Sequence, residues 1–355
     1  MTHKQRVLNA IKGTKIDFLP SHIKFSSPKV AGKHARYLGV EPENLERTLD
    51  NHMVLTFTLD QVFWYRLNPK VLNFAQQKGF VRIDEENNIA YDRWGVGWDI
   101  QSEGDLIRYH PLLGAESLKD YSFPDPRSLH LLDMVEQTIK KDDEHLVVCT
   151  GYWNLFERAW ALCSFDKLMM DLLCNRRFVE ELFDRIADYQ VEVAKRIVDL
   201  GVSCAHTGGD FGTQRGPIIS PDLWRQVVKP RLKRIWGVYK DAGIPVIHHS
   251  CGDVTPIILD MIEIGLDVLE PVQPLAMSLE ELAREFGKDL AFFGGIDTQR
   301  VLPYGAPAEV REFTKFCIET LGKNGKYIIA PSQDIISDVP VENFKTMVDA
   351  IKKYR

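Results

Sequence analysis

The sequence predicts an α/β fold, a closed (β/α)8 TIM barrel formed by one domain over residues 1–355. Short apolar strands alternate with amphipathic helices throughout the second half of the chain. Eight strands can be counted in all, the number that closes a parallel barrel. The 355 residues, 45% of them apolar, are enough to fill one such core.

Three of the eight predicted strands lie in the N-terminal half, at 18–25, 54–60 and 146–150. The residues from 65 to 145 do not alternate between strands and helices. They contain a hairpin-like stretch at 91–99, and Pro124 and Pro126 suggest a loop. We interpret 65–145 as an insertion in the N-terminal half that covers one end of the barrel.

Five further strands are predicted in the C-terminal half, at 202–206, 245–249, 267–271, 290–294 and 327–330. Helix signals separate them. Ser220 followed by Pro221 is a typical helix start, and that helix is predicted to continue to about residue 242. Gly201 and Gly243 are placed where helices end. Strand–helix repeats of this kind form parallel sheets.

Composition excludes several classes of protein. The formal net charge is −6 and no basic stripe is present, so the sequence predicts no nucleic-acid partner. No apolar run approaches the roughly 20 residues that span a bilayer, so no membrane partner is expected. The N-terminus lacks the apolar core of a signal peptide, and the six cysteines follow no disulfide pattern. These features predict a cytoplasmic location.

Catalytic groups of such a barrel lie just beyond the C-terminal ends of its strands. Polar and aromatic residues occupy those places in every repeat. They are His22, Lys24, Asp60, Tyr152, Trp153, His206, Asp210, His249, Cys251, Glu270, Gln273, Asp297, Ser332, Gln333 and Asp334.

The triplet His249-Ser250-Cys251 is the sharpest feature. Residues two apart in an extended chain point to the same side, so an imidazole and a thiolate can converge on one ion. Both groups are good ligands for Zn²⁺. The alternative is a buried thiol beside a hydrogen-bonded histidine. Cys204-Ala205-His206 repeats the spacing one strand earlier, where a core cysteine is the commoner explanation.

Other candidates leave two explanations open. Asp60 could be an acid, a base or a cation partner, or only a helix cap or loop ion pair. His22 and Lys24 leave the same two explanations open. Aromatic residues after the second and third predicted strands could line a pocket for a flat organic substrate, or could be core residues. They are Phe63, Trp64, Tyr65, Tyr152, Trp153, Phe156 and Trp160. No phosphate loop, dinucleotide motif or Gly-x-Ser-x-Gly elbow is present.

Four segments together resemble one superfamily. They are 208–224, with Gly208-Gly-Asp and Ser220-Pro221; 249–252, His-Ser-Cys-Gly; 294–297, Gly-Gly-Ile-Asp; and 330–343, which begins Ala-Pro-Ser-Gln-Asp. In this order they resemble the superfamily of uroporphyrinogen decarboxylase and the related cobalamin-dependent methyltransferases. The resemblance covers most of residues 1–355 and implies the barrel fold.

The decarboxylases of this superfamily carry an arginine-containing segment after the first strand and a His-Gly pair after the last. Here those places read 21–26, Ser-His-Ile-Lys-Phe-Ser, and Ser332-Gln333. Asp60 does match the aspartate that holds the pyrrole nitrogens. The resemblance therefore favours the methyltransferase branch over tetrapyrrole decarboxylation.

The methyltransferase branch uses His-x-Cys as two zinc ligands, which His249 and Cys251 match. Its third ligand is a cysteine near the last strand, where this chain has none. Glu270 is our first substitute, with Asp334 or Cys204 as alternatives.

The resemblance implies a zinc-dependent methyltransferase of a corrinoid methyl-transfer system. The methyl donor is expected to be a small molecule, such as an O-methyl aromatic compound or methanol. The acceptor is expected to be a corrinoid protein or a thiol, and the partner corrinoid protein would carry the cobalamin. We assign catalytic roles to Asp60, His206 and Asp210. The substrate would contact four residues, namely His22, Trp153, Phe156 and Gln333. A decarboxylase (carboxy-lyase) and a non-catalytic, ligand-binding barrel remain as alternatives.

Overall fold

A computed structural model describes residues 1–102, 107–151 and 154–355. The strands, in chain order, are β1 Met53–Phe57, β2 Arg82–Asp84, β3 Ile89–Tyr91, β4 Gly97–Asp99, β5 Ile107–Tyr109, β6 Leu146–Gly151, β7 Cys204–Gly208, β8 Gly212–Thr213, β9 Gly216–Pro217, β10 Val246–His249, β11 Val268–Glu270, β12 Ala291–Ile296 and β13 Tyr327–Pro331. The α-helices are α1 His3–Lys12, α2 Pro28–Leu38, α3 Leu45–Leu49, α4 Val62–Tyr65, α5 Pro69–Gln77, α6 Asp133–Lys141, α7 Phe156–Cys163, α8 Phe165–Cys174, α9 Arg176–Asp199, α10 Pro221–Val227, α11 Lys229–Asp241, α12 Ile258–Glu263, α13 Leu279–Glu285, α14 Val301–Tyr304, α15 Pro307–Leu321 and α16 Val341–Tyr354.

The centre of the fold is a curled sheet of seven parallel strands in the order β1-β6-β7-β10-β11-β12-β13. The order follows the chain, as expected for repeated βα units. Seven of the eight predicted strands are present, and the α/β class with a parallel sheet is confirmed. The registers align neighbouring strand ends, with His206 beside Ile247 and His249 beside Glu270.

The first predicted strand, 18–25, is not a regular strand. It contributes two isolated parallel bridges, Ser21 to Ile329 and Phe25 to Ile335. On its other side the amide of His52 donates to the carbonyl of Ser21 at 3.0 Å. Beyond that bond the Asn51 side chain accepts from the Ile23 amide and donates to the Ile23 carbonyl, at 2.9 and 3.0 Å. The Asn51 side chain thus hydrogen-bonds to the backbone amide and carbonyl of Ile23, which are then not available to pair with β1.

The helices largely follow their sequence signals. The predicted helix over residues 178–200 is observed as α9, and Ser220 caps α10 by accepting from the amide of Leu223. The predicted helix from 220 to 242 is split into α10 and α11, which meet at Val228. Pro230 accounts for the break, because it has no amide hydrogen to continue the ladder and its ring crowds the preceding turn.

Between β1 and β6 lies a small antiparallel sheet in the order β2-β3-β4-β5. The predicted hairpin is present, with Tyr91 paired to Gly97 across β3 and β4. Trp94 and Trp98 are buried beneath it. Among the described residues, no helix is long and apolar enough to cross a membrane.

A buried histidine on α2 makes stability depend on pH. His34 is buried between the rings of Phe25 and Phe344, with centroids 5.7 and 4.4 Å away. Neither ring nitrogen has a hydrogen-bond partner within the described ranges. Burial lowers the pKa of His34 to about 4 from 6.5. The folded protein therefore favours the neutral form of His34. The resulting contribution to the free energy of unfolding is complete above pH 6.5 and is lost as pH falls towards 4.

His34→Phe is expected to flatten the acid side of the stability profile. The phenyl ring cannot take up a proton, so up to about 1.4 kcal/mol per pH unit of acid destabilisation disappears. Urea unfolding at pH 7.0 and 4.5 measures it. His130→Gln, which replaces a partly exposed histidine, is the control and should keep the acid-side loss of stability that His34→Phe removes. If His34→Phe and wild type lose the same stability between pH 7.0 and 4.5, His34 is not the cause of the acid destabilisation.

Candidate active site

The C-terminal ends of the parallel strands bring the candidate residues together. His206 lies in β7, His249 ends β10 and Glu270 ends β11. Cys251 follows β10 by two residues, and Lys24 approaches from the first chain segment. The predicted convergence at this end of the sheet is observed for these five residues.

Glu270 is the centre of the cluster. Its side chain is 2% exposed, and one oxygen lies 2.5 Å from Nδ1 of His249 and 3.2 Å from Nε2 of His206. The other oxygen accepts from Nζ of Lys24 at 2.9 Å. Burial alone would raise the pKa of Glu270, but His249 and Lys24 hold it well below its usual value. The carboxylate is therefore ionised and paired.

His249 presents its second nitrogen to a different set of atoms. Nε2 lies 3.4 Å from Sγ of Cys251 and 3.5 Å from Oδ1 of Asp210. Burial lowers the pKa of His249, but Glu270 and Cys251 more than reverse this and raise it well above its usual value. Without a metal, a proton thus sits among these groups, and a divalent cation in that position would displace it.

Close contact between two loops places Asp210 beside Cys251. The amide of Gly212 donates to the carbonyl of Cys251, and the amide of Cys251 donates to Oδ1 of Asp210 at 2.7 Å. A Cβ on Gly212 or Gly252 would lie within 2.7 Å of backbone atoms of the facing loop. Only glycine allows this approach, because any side chain would push the loops apart.

Asp210, His249 and Cys251 form a donor set that fits a metal ion. Their ligand atoms all lie within 4.8 Å of one another. Zinc bonds of about 2.3 Å to sulfur and about 2.0–2.1 Å to nitrogen or oxygen place tetrahedral ligands about 3.3–3.6 Å apart. The measured separations of 3.4 and 3.5 Å lie in that range. His206, His249 and Glu270 form a second possible group, completely buried.

Two further polar side chains contact the Cys251 region. Nε2 of Gln333 lies 3.7 Å from Sγ of Cys251, and Oε1 of Gln273 accepts from the amide of Gly252 at 2.6 Å. His22 is buried near the same end, where burial and Lys24 lower its pKa to about 3, so its imidazole is neutral.

Asp60 lies apart from this cluster in a polar network of its own. Its carboxylate accepts from Thr58 at 2.5 Å, from the Tyr189 hydroxyl at 2.8 Å and from Nε1 of Trp94 at 3.5 Å. The side chain is buried, and internal donors engage both oxygens. Sequence reasoning could not foresee Tyr189 and Trp94, because one comes from a long helix and the other from the small sheet.

The two aromatic candidates, Phe156 and Trp153, have different outcomes. Phe156 is buried and packs against Phe183 and Phe211, as in the core explanation. Trp153 lies outside the described residues. Cys204 is buried, its thiol contacts the carbonyl of Pro245, and burial raises its pKa.

A cavity of about 880 Å³ reaches the cluster from the side of β1. Lys24, Phe25, Trp64 and Asp334 are among the residues that line it, and Nζ of Lys24 lies 5.9 Å from the centre of the Trp64 ring. Trp64 is one of the aromatic residues that the sequence predicts either to line a pocket or to belong to the core, and it lines this cavity. For Lys24 the sequence left open a role in the site or only a loop ion pair, and its observed partner is the buried Glu270.

Comparison with known proteins gives one family. The family model described as uroporphyrinogen decarboxylase (URO-D) matches residues 93–354. A methylcobamide:CoM methyltransferase of Methanosarcina acetivorans is 22% identical over 285 residues, covering 78% of this chain and 80% of the relative. A uroporphyrinogen decarboxylase of Thermus thermophilus is 32% identical over 139 residues, covering 38% of each chain.

A solved structure shares the fold over the full length. It is that of a methyltransferase from Methanosarcina mazei, with a TM-score of 0.69 and 18% identity, covering 100% of this chain and 99% of the other. The likeness shows that the two chains have the same architecture.

Proposed function

The chain belongs to the uroporphyrinogen decarboxylase family, and from that premise we propose that it is a zinc-dependent methyltransferase of a corrinoid methyl-transfer system. The observation that carries the proposal is the Asp210–His249–Cys251 donor set at the C-terminal end of the sheet. The names of the methyltransferase relatives support the same reaction class.

We propose Asp210, rather than Glu270, as the third metal ligand beside His249 and Cys251. Both oxygens of Glu270 already bind His249, His206 and Lys24. A carboxylate on the far nitrogen of a metal-bound histidine fixes its tautomer and ring orientation. When bound, the zinc ion would act as a Lewis acid on a thiol or a methyl-bearing oxygen at its open position.

The other residues hold this arrangement and receive the substrate. Lys24 neutralises Glu270, and Gln333 directs an amide towards the Cys251 sulfur. His22, Phe25 and Trp64 offer neutral and aromatic surface to a small methyl donor, such as an O-methyl aromatic compound or methanol. The acceptor would be a corrinoid protein or a thiol, and the partner corrinoid protein would bring cobalamin to this end of the sheet.

The test measures zinc per chain and methyl exchange between methylcobalamin and a panel of thiols or O-methyl aromatic compounds. We expect about one zinc ion at this site in wild type. Cys251→Ala should lose one zinc ion per chain relative to wild type and lower the transfer rate at least about a hundredfold, because the thiolate ligand is gone. Asp210→Asn should weaken zinc binding at least about tenfold.

Cys204→Ala is the matched control, since Cys204 also lies two residues from a histidine but points into the core. It should keep both zinc and transfer activity. Full zinc and full transfer in Cys251→Ala, or transfer by zinc-free wild type, would overturn the proposal.

We expect no conversion of uroporphyrinogen to coproporphyrinogen. Asp60, the residue that would hold the pyrrole nitrogens, is occupied by Thr58 and Tyr189. The segment at 21–26 also lacks an arginine for the substrate carboxylates. Anaerobic incubation with uroporphyrinogen and separation of the oxidised porphyrins measures the reaction, with an authentic decarboxylase as positive control. Product above the uncatalysed background would refute this expectation.

Three further proposals concern architecture and location. The segment at 20–25 would close the sheet as an irregular eighth strand, supported by its bridge to β13 and its bond to His52. Residues 65–145 would form the insertion of a single domain over 1–355. The six cysteines are all unpaired, in keeping with a reducing cytoplasm.

A further inference from the structure

A second cluster of metal-binding side chains lies at the opposite end of the sheet, near the start of β6. It contains His3 from α1, with Glu144 and His145 from the segment before β6. The ligand atoms of these three residues lie within 4.8 Å of one another. The two imidazole rings are stacked, with centroids 4.8 Å apart and planes 22° from parallel.

Each imidazole has one nitrogen held by a carboxylate of its own. Nε2 of His3 lies 3.1 Å from Asp50, which is anchored at 2.6 Å by Arg355. Nδ1 of His145 lies 2.9 Å from Asp142. Carboxylates of this kind fix the rings of metal-binding histidines and leave the other nitrogen free to coordinate.

The remaining nitrogen of His3 is buried without a hydrogen bond. Nδ1 lies 3.3 Å from Oε1 of Glu144, but within the described ranges it has no partner of acceptable hydrogen-bond geometry. A buried polar atom of this kind needs an explanation, and an ion between the imidazole and the carboxylate supplies one. The Glu144 side chain is 64% exposed and can adjust to complete a coordination sphere.

The surroundings favour a divalent cation. Glu43 and Glu46 line the same cavity as His3, Glu144 and His145, with Arg47 as an opposing charge. The cavity gives the ion access to water for its remaining positions. The backbone is held in register, because the amide of Lys4 donates to the carbonyl of Glu144 at 3.0 Å.

We propose that His3, Glu144 and His145 bind a borderline divalent ion such as Zn²⁺ or Co²⁺, through two imidazole nitrogens and one carboxylate. This donor set suits such ions better than Mg²⁺ or Ca²⁺, which prefer oxygen ligands alone. The ion links α1 to the segment before β6 and stabilises the N-terminal end of the parallel strands. This site is independent of the proposed methyl transfer.

The experiment titrates the chelator-stripped, untagged full chain with Co²⁺ and follows bound cobalt and the visible and near-ultraviolet spectrum. Of the two proposed sites, only the Cys251 site contains a thiolate and can give thiolate-to-cobalt charge-transfer absorption. Wild type should bind a second equivalent of Co²⁺ without additional charge-transfer absorption. His3→Gln and His145→Gln should each lose that equivalent and keep the absorption, whereas Cys251→Ser should lose the absorption and keep the second equivalent.

His130→Gln is the matched control, because His130 also pairs with an aspartate three residues away but belongs to no group of three possible metal ligands among the described residues. It should bind cobalt as wild type does. In the Cys251→Ser background, saturating Zn²⁺ should raise the Tm, and adding Glu144→Gln should reduce that rise.

A second equivalent that binds only at millimolar concentration, or that survives His3→Gln and His145→Gln, would overturn the proposal as an adventitious ion. If wild type shows no charge-transfer absorption when it is titrated with Co²⁺, that result would count only against the Cys251 site. The two sites are therefore tested separately.

Discussion

Glu270→Gln is expected to lower the free energy of unfolding by about 3–5 kcal/mol, because it leaves the buried Lys24 without its nearest countercharge. Lys24 is 10% exposed and Glu270 is 2% exposed, so water replaces little of the lost interaction. The same change removes the carboxylate from Nδ1 of His249. Zinc affinity should therefore fall about 10–100-fold, the usual effect of losing a residue that orients a metal-bound histidine.

Urea unfolding of the metal-free protein measures the first effect, and competition with a chromophoric chelator measures the second. Glu263→Gln is the matched control. Glu263 also pairs with a lysine, Lys229 at 2.7 Å, but its side chain is 67% exposed. An exposed pair contributes at most about 1 kcal/mol, and zinc affinity should not change.

The double variant Lys24→Met with Glu270→Gln separates the effect of the unpaired charge from the effect of packing. Without the buried ammonium group, the double variant should regain part of the stability that Glu270→Gln alone loses. The effects of the two substitutions on the free energy of unfolding should therefore not be additive. Zinc affinity should stay low, because the His249 orientation is still lost. Additive stability losses, or wild-type zinc affinity in Glu270→Gln, would contradict this role for Glu270.

The sequence predicts the seven strands of the main sheet because each is a short apolar run between helix signals. The eighth differs because Asn51 bonds to both backbone groups of Ile23, and nothing in the pattern of 18–25 reveals that contact. The break between α10 and α11 could have been foreseen, since Pro230 is visible in the sequence.

The sequence could predict only those site residues that come from the end of a single strand. His249 and Cys251 follow from their spacing, because alternation in one segment determines which side chains share a face. The placement of Asp210 depends on Gly212 meeting Gly252 across two loops, which is a tertiary contact. Glu270 was expected to bind the ion, and its contacts with His206 and Lys24 are likewise tertiary contacts that residue spacing does not reveal.

Arg158→Met is expected to destabilise the protein by about 3–5 kcal/mol, through the small antiparallel sheet rather than the active site. Arg158, on α7, lies 2.9 Å from Asp92, and their side chains are 1% and 0% exposed. Asp92 also accepts from Nε1 of Trp98 at 3.0 Å and from the amide of Val96 at 2.9 Å. Methionine fills most of the volume but leaves a buried carboxylate without its cation.

The pH dependence of the deficit identifies its cause. Burial raises the pKa of Asp92 even in wild type, against the lowering effect of Arg158. Removing Arg158 raises that pKa further, so the folded variant takes up a proton more readily than the unfolded chain. The deficit should shrink as pH falls from 7 to 5, and Asp92→Asn should restore part of the stability of Arg158→Met.

Arg108→Met is the matched control within the same sheet. Arg108 pairs with Asp99 at 2.8 Å, but its side chain is 50% exposed, so its loss should cost at most about 1 kcal/mol. Urea unfolding at pH 5 and 7 measures the three variants, which are Arg158→Met, Arg158→Met with Asp92→Asn, and Arg108→Met. A deficit in Arg158→Met that is the same at both pH values and unaffected by Asp92→Asn would mean that lost packing against Trp94, not the unpaired carboxylate, causes the destabilisation.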